Sequence, residues 1–167
     1  MLTLPPGSAR WFEQGPGNAA VKRDLCVQRF LASSAAWIYF SDSDHVVERD
    51  VVLRLLAHEV PIVGGIYAGP VRDGSSNDMT VYAGFAERTL DPGMLRPGLQ
   101  EVDWIGGGSV LVRRPVLEAI AGPWFGKADD GEDLEFCAQA HAAGFPVYVD
   151  AGVRVAHLQV IPVTVPT

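Results

Sequence analysis

The chain has 167 residues, 48% hydrophobic and 20% charged, the size and balance of one domain with a packed core rather than a disordered segment. Its net charge of −7 excludes a groove that tracks nucleic-acid phosphates, which needs clustered Lys and Arg. No run approaches the ~18 uninterrupted apolar residues that cross a bilayer.

The opening residues 1–6 lack the charged start and apolar run of a secretory signal. Cys26 and Cys137 read as two reduced, core-packing thiols, which together predicts a cytoplasmic protein. If so acidic a chain handles a phosphorylated ligand, the positive charge must come from elsewhere, and a divalent cation is the obvious source.

A single domain over residues 1–167 is expected, with no repeat and no linker. Residues 1–17, with three prolines and three glycines, read as irregular. From Asn18 to Ala32 the apolar spacing becomes helical, with Val21, Leu25, Phe30 and Leu31 on one stripe. Trp37-Ile38-Tyr39-Phe40 is a continuous apolar run, as in a strand buried on both faces. A helix follows through Val51, Val52, Leu55 and Leu56, then a strand from Ile62 to Tyr67. Strand, helix and strand in about 30 residues predict one βαβ unit with an adjacent parallel pair.

Residues 68–100 are a long excursion rich in Gly, Pro, Asp and Ser, with Thr80 to Phe85 its clear strand. Strands are predicted at Val102–Ile105 and Ser109–Val112, and Pro115 opens a short helix reaching about Ala121. The last helix starts near Glu132 and stops at Gly144, with Leu134, Cys137, Ala138 and His141 as its buried stripe. Two short strands, Val147–Val149 and Val153–Val155, close the domain.

Four groups of residues carry chemistry. Asp42-Ser43-Asp44 leaves the carboxyl end of a buried strand, where ligands collect in open α/β sheets. Two carboxylates one residue apart suit a hard ion such as Mg²⁺ or Mn²⁺, and equally well form a polar turn. Glu132 and Asp133 open the last helix, where the dipole favours carboxylates and where one could act as a general base. His157 stands just past the last strand; a lone histidine is more often structural, but imidazole is a competent ligand for Mn²⁺-type ions. Gly106-Gly107-Gly108 lets backbone approach a ligand closely or forms a bulge, and it lacks the Gly-Lys-Ser/Thr ending of a phosphate loop. Trp124 lies near these segments and suits either a sugar face or the core.

The order of these groups is more specific than any one of them. "WIYFSDSDHVVERDVVLRLLAHEVPIVGGIY", "VDWIGGGSVLVRRPVLEAI", "PWFGKADDGEDLEFCAQAHAAGFPVYVD" and "VAHL" together resemble GT-A glycosyltransferases of the galactosyltransferase-like branch, from about Asn18 to Leu158. The resemblance implies an α/β fold with a mixed, mainly parallel sheet flanked by helices. It implies Asp44 as direct metal ligand, Asp42 assisting the metal or the donor's ribose, and His157 as the third protein ligand. It implies Asp133 as the base of an inverting transfer, with Glu132 orienting the acceptor. Gly107 and Gly108 would lie near the donor sugar, and Trp124 would be an acceptor platform. The cofactor would be Mn²⁺ or Mg²⁺, and the partners a UDP- or GDP-sugar and an acceptor hydroxyl, on a carbohydrate or another molecule.

The chain departs from the family at its start. Only 41 residues precede Asp42, so the opening βαβ part of the nucleotide pocket is expected to be shortened or missing. That leaves a role for a partner chain in an oligomer. It also sustains an alternative: a degenerate GT-A domain that binds a carbohydrate or a protein without catalysis. A third reading, an unrelated metal-dependent phosphoester enzyme, lacks a second cluster of His and Asp ligands.

Overall fold

In the computed structural model, the described residues are 2–14, 16–70, 79–81, 83–85, 88–89, 96–126 and 131–158. Chain order is α1 (Ala19–Leu31), β1 (Trp37–Ser41), β2 (His45–Val46), α2 (Val51–Leu56), β3 (Ile62–Ile66), β4 (Ala68–Pro70), β5 (Met79–Val81), β6 (Ala83–Phe85) and β7 (Arg88–Thr89). Then follow β8 (Leu99–Val102), β9 (Trp104–Ile105), β10 (Ser109–Arg113), α3 (Arg114–Ala119), α4 (Glu132–Ala142), β11 (Val147–Arg154) and β12 (Ala156–His157). Of the 68–100 excursion, β4 to β7 and residues 96–100 are described; the rest lies outside the described residues.

The central sheet has five strands in the order β1-β10-β3-β11-β8. The class is mixed α/β as expected, but the sheet is not mainly parallel. Only β3 and β11 pair in parallel, and the other three pairings are antiparallel. The expected βαβ pair is also separated. β10 inserts between β1 and β3 and runs against both, so those two strands share a direction without sharing hydrogen bonds. A strand arriving from far along the chain satisfies both ladders, and no local pattern announces it.

Alternation along the strands builds two layers of core. Ile38, Phe40, Ile62, Val110, Val112, Val147 and Val149 face α1, α3 and α4. Val63, Leu111 and Val153 face α2, where Leu2 and Leu4 of the N-terminal segment also pack. At ~25 cal/mol per Å² of apolar surface, burial on both faces supplies the main stabilising term.

Two helices turn differently from their predicted stripes. In α1, Asn18 caps the first turn through its side chain, and Ala20, Arg23, Val27 and Phe30 face inward. Val21 and Leu25 are exposed at 45% and 41%. In α4, Phe136, Cys137 and Ala140 are buried, while Leu134 is exposed and the exposed His141 ring donates to the Asp103 carbonyl. The stripe read from hydrophobicity fails where a charged residue has a partner inside. Arg23 is such a residue, and it rotates α1. The two predicted C-terminal strands form one, with an irregularity between Asp150 and Arg154.

Candidate active site

β1 and β3 both oppose β10, and β11 runs with β3, so three carboxyl ends meet at one sheet edge. Four segments arrive there: residues 42–44 after β1, Tyr67 after β3, residues 106–108 before β10, and β12 after β11.

β12 pairs with β2 so that His157 stands opposite His45. Asp44, His45 and His157 each offer one ligand atom, all within 4.8 Å of one another, the one such group among the described residues. His157 Nε2 lies 3.1 Å from Asp44 Oδ2. His45 Nδ1 lies 2.7 Å from the Gly108 carbonyl. A carbonyl only accepts, so Nδ1 carries the proton and Nε2 keeps the lone pair. His157 Nδ1 is buried with no hydrogen-bond partner among the described residues. One carboxylate and two imidazoles, with an orphaned ring nitrogen, fit a first-row divalent ion such as Mn²⁺. The structure thus brings Asp44 and His157 together as predicted and adds His45.

Asp42 does not join that group. Arg23 Nη2 holds both its carboxylate oxygens, at 2.9 and 3.1 Å, and Arg23 Nη1 donates to Glu132. The arginine is only 7% exposed, with its guanidinium 5.7 Å above the Phe125 ring. Burial opposes its charge, but Asp42 and Glu132 outweigh that and keep the guanidinium protonated. One buried side chain on α1 therefore joins the Asp-X-Asp turn to the Gly-Glu-Asp helix start.

Asp133 accepts the Leu134 N–H at 2.9 Å. Burial pushes its carboxyl above the usual range, and the neighbouring Glu132 charge adds to this. Trp124 is placed differently from an open platform. Its ring packs against the core, its indole N–H donates to the Leu117 carbonyl at 2.8 Å, and its backbone N–H donates to Asp24.

The glycines serve close approach to side chains. A Cβ on Gly107 would stand 2.8 Å from the Arg23 guanidinium carbon, and one on Gly108 would collide with His45 and lie 2.7 Å from Asp42 Oδ2. Gly108 also donates its N–H to Tyr67 Oη at 3.1 Å and accepts from the Asp42 N–H at 3.1 Å. Gly108→Ala is therefore expected to displace His45 and weaken Mn²⁺ binding by roughly 10–100-fold, the usual cost of disturbing a ligand's support. Isothermal titration with Mn²⁺ checks this, and unchanged affinity would remove Gly108 from the site.

Sequence reading missed Arg23, His45 and Tyr67. His45 was adjacent to a recognised aspartate. Arg23 stands between Ala20 and Val27 at helical spacing, the only signal it gave.

No protein-family model matches the chain, and no curated protein matches it. Solved structures do. A197 from STIV superposes with a TM-score of 0.63 at 20% identity, over 86% of this chain and 69% of that one. GalNAc-T7, solved with UDP, GalNAc and Mn²⁺, superposes with a TM-score of 0.57 at 14% identity, over 84% of this chain. The fold is GT-A-like. This GT-A-like chain spans only 30% of the GalNAc-T7 chain, so its likeness concerns the layer that carries the sheet edge described above.

Proposed function

We propose that the chain is a metal-dependent glycosyltransferase that moves a sugar from a nucleotide-diphosphate donor to an acceptor hydroxyl with inversion. The observation that carries this is the Asp44–His45–His157 group at the carboxyl edge of a GT-A-like sheet. These three residues would hold Mn²⁺ or Mg²⁺, and two imidazoles favour Mn²⁺. When bound, the ion neutralises the donor's diphosphate and stabilises it as a leaving group. Asp133 takes the proton from the acceptor hydroxyl, a role that its raised pKa suits. Glu132 and Asp42, tied together by Arg23, hold the two motifs in register. The Mn²⁺, UDP and GalNAc in the GalNAc-T7 structure support the reading of cofactor and donor. The thiols Cys26 and Cys137 are unpaired, in keeping with a reducing cytoplasm.

A second reading has its own observation: Arg23 neutralises Asp42 and Glu132, which leaves fewer free carboxylates than an active site would use. That favours a GT-A-like binding module. Calorimetric titration of UDP and GDP, with Mn²⁺, with Mg²⁺ and without either, separates the two. Transfer predicts nucleotide binding that requires Mn²⁺, is weaker with Mg²⁺ and vanishes in Asp44→Ala. Folded protein that binds neither nucleotide would overturn it.

A further inference from the structure

Beside the candidate metal group lies a cleft of about 280 Å³, lined by Leu2, Arg10, His45, Val46, Val47 and Arg49. Its far wall is the N-terminal segment, fastened by the Thr3 N–H donating to the Arg49 carbonyl at 2.7 Å and by Leu2 and Leu4 packing under α2. His45 belongs to both the cleft and the metal group, so the two share a wall.

The charge there is out of keeping with the rest of the chain. The protein has 20 acidic against 13 basic residues, and several other arginines are engaged. Arg23 and Arg54 are paired with carboxylates, Arg114 binds carbonyls and Glu118, and Arg29 and Arg113 lie over indole rings. Among the described residues, neither the Arg10 nor the Arg49 side chain has a hydrogen-bond, ion-pair or ring partner. Two exposed guanidiniums left without a carboxylate in one concavity form a site for an anion with several oxygens.

We propose that this cleft binds the phosphate-bearing part of a ligand, a diphosphate, between Arg10 and Arg49 on one side and the Asp44–His45–His157 group on the other. Size limits what enters. Whole small-molecule ligands occupy clefts of roughly 300–1,000 Å³, so this one takes a diphosphate and leaves the remainder outside. The N-terminal segment thereby supplies the positive charge that an acidic chain needs for such a ligand. The proposal deepens the transferase reading, resting on it for the ion beside the cleft and on the arginines for the rest.

The test is calorimetric titration of inorganic pyrophosphate and of UDP, each with and without Mn²⁺, into the full chain, into Arg10→Ala/Arg49→Ala and into Arg10→Lys/Arg49→Lys. Both arginines are exposed, so thermal melts of the variants are expected to match the parent. The double alanine variant should lose at least about tenfold in affinity for both probes, as lost charge-assisted hydrogen bonds to phosphate require. The lysine variant should recover part of that loss, and Mn²⁺ affinity alone should not change. Equal affinity for pyrophosphate and UDP would identify the diphosphate itself as the recognised group, and tighter UDP binding would identify a nucleoside diphosphate. Arginine-dependent pyrophosphate binding without any Mn²⁺ effect would uphold the cleft while overturning the metal-dependent transferase. Mn²⁺-dependent UDP binding that is indifferent to both arginines would do the reverse, and no pyrophosphate binding at all would overturn the cleft.

Discussion

Replacing Arg23 by methionine is expected to lower the unfolding free energy by about 3 kcal/mol, the lower end of the cost of breaking a buried ion pair. Methionine keeps the aliphatic stem over Phe125 but leaves Asp42 and Glu132 without their cation. Glu132 is the costlier orphan, because its side chain is 16% exposed against 42% for Asp42. In a domain of this size the melting temperature would fall by about 10 °C. Urea denaturation of Arg23→Met and of Arg23→Met/Glu132→Gln measures the effect. The double variant should be the more stable of the two, since it removes the stranded charge as well. A loss below about 1 kcal/mol in the single variant would show the bridge to be an ordinary surface pair.

Asp133→Asn is expected to reduce sugar transfer by about 10²–10⁴-fold, the usual contribution of a positioned base, with Mn²⁺-dependent UDP binding intact. The same substitution should raise thermal stability slightly at neutral pH, and the sign follows from linkage. Burial raises the folded pKa of Asp133, with the Glu132 charge adding, so its stabilising contribution exists in acid and is lost as pH rises through that raised value. Asparagine carries no charge to desolvate. A base must be ionised to work, so transfer by the parent protein should fall on acidification at a pH above the ordinary carboxylate range. Donor hydrolysis or transfer followed against pH, beside thermal melts of both proteins, reads both effects. Transfer at the parent rate in Asp133→Asn would remove it as the base.

Both expectations turn on a contact between residues far apart in the chain. Arg23 and Glu132 are separated by 109 positions, and nothing in the α1 sequence marks the arginine as internal. Hydropathy assigns arginine to solvent, so the predicted stripe took Val21 and Leu25 instead, and both are exposed. The same reasoning misplaced Leu134 on α4, where Phe136 packs inward to stack on Phe125 with ring centroids 4.8 Å apart. Trp124 was legible as an aromatic near the site, but its indole N–H satisfies the Leu117 carbonyl, a pairing that only tertiary packing creates.

The sequence by itself determined the local features. The apolar run 37–40 ending in two aspartates, the capped helix starting after Asn18, the three glycines before β10 and the glycine stop after α4 each follow from side-chain size, polarity and backbone freedom. It also placed Asp44 and His157 as ligands of one ion, and the structure sets them 3.1 Å apart. Tertiary structure alone decided that β10 separates β1 from β3, that His45 completes the group, and that Asp42 turns to Arg23. Those outcomes depend on backbone ladders and charge pairs closed over long loops. Their energies exist only once the sheet has formed, so no window of neighbouring residues encodes them.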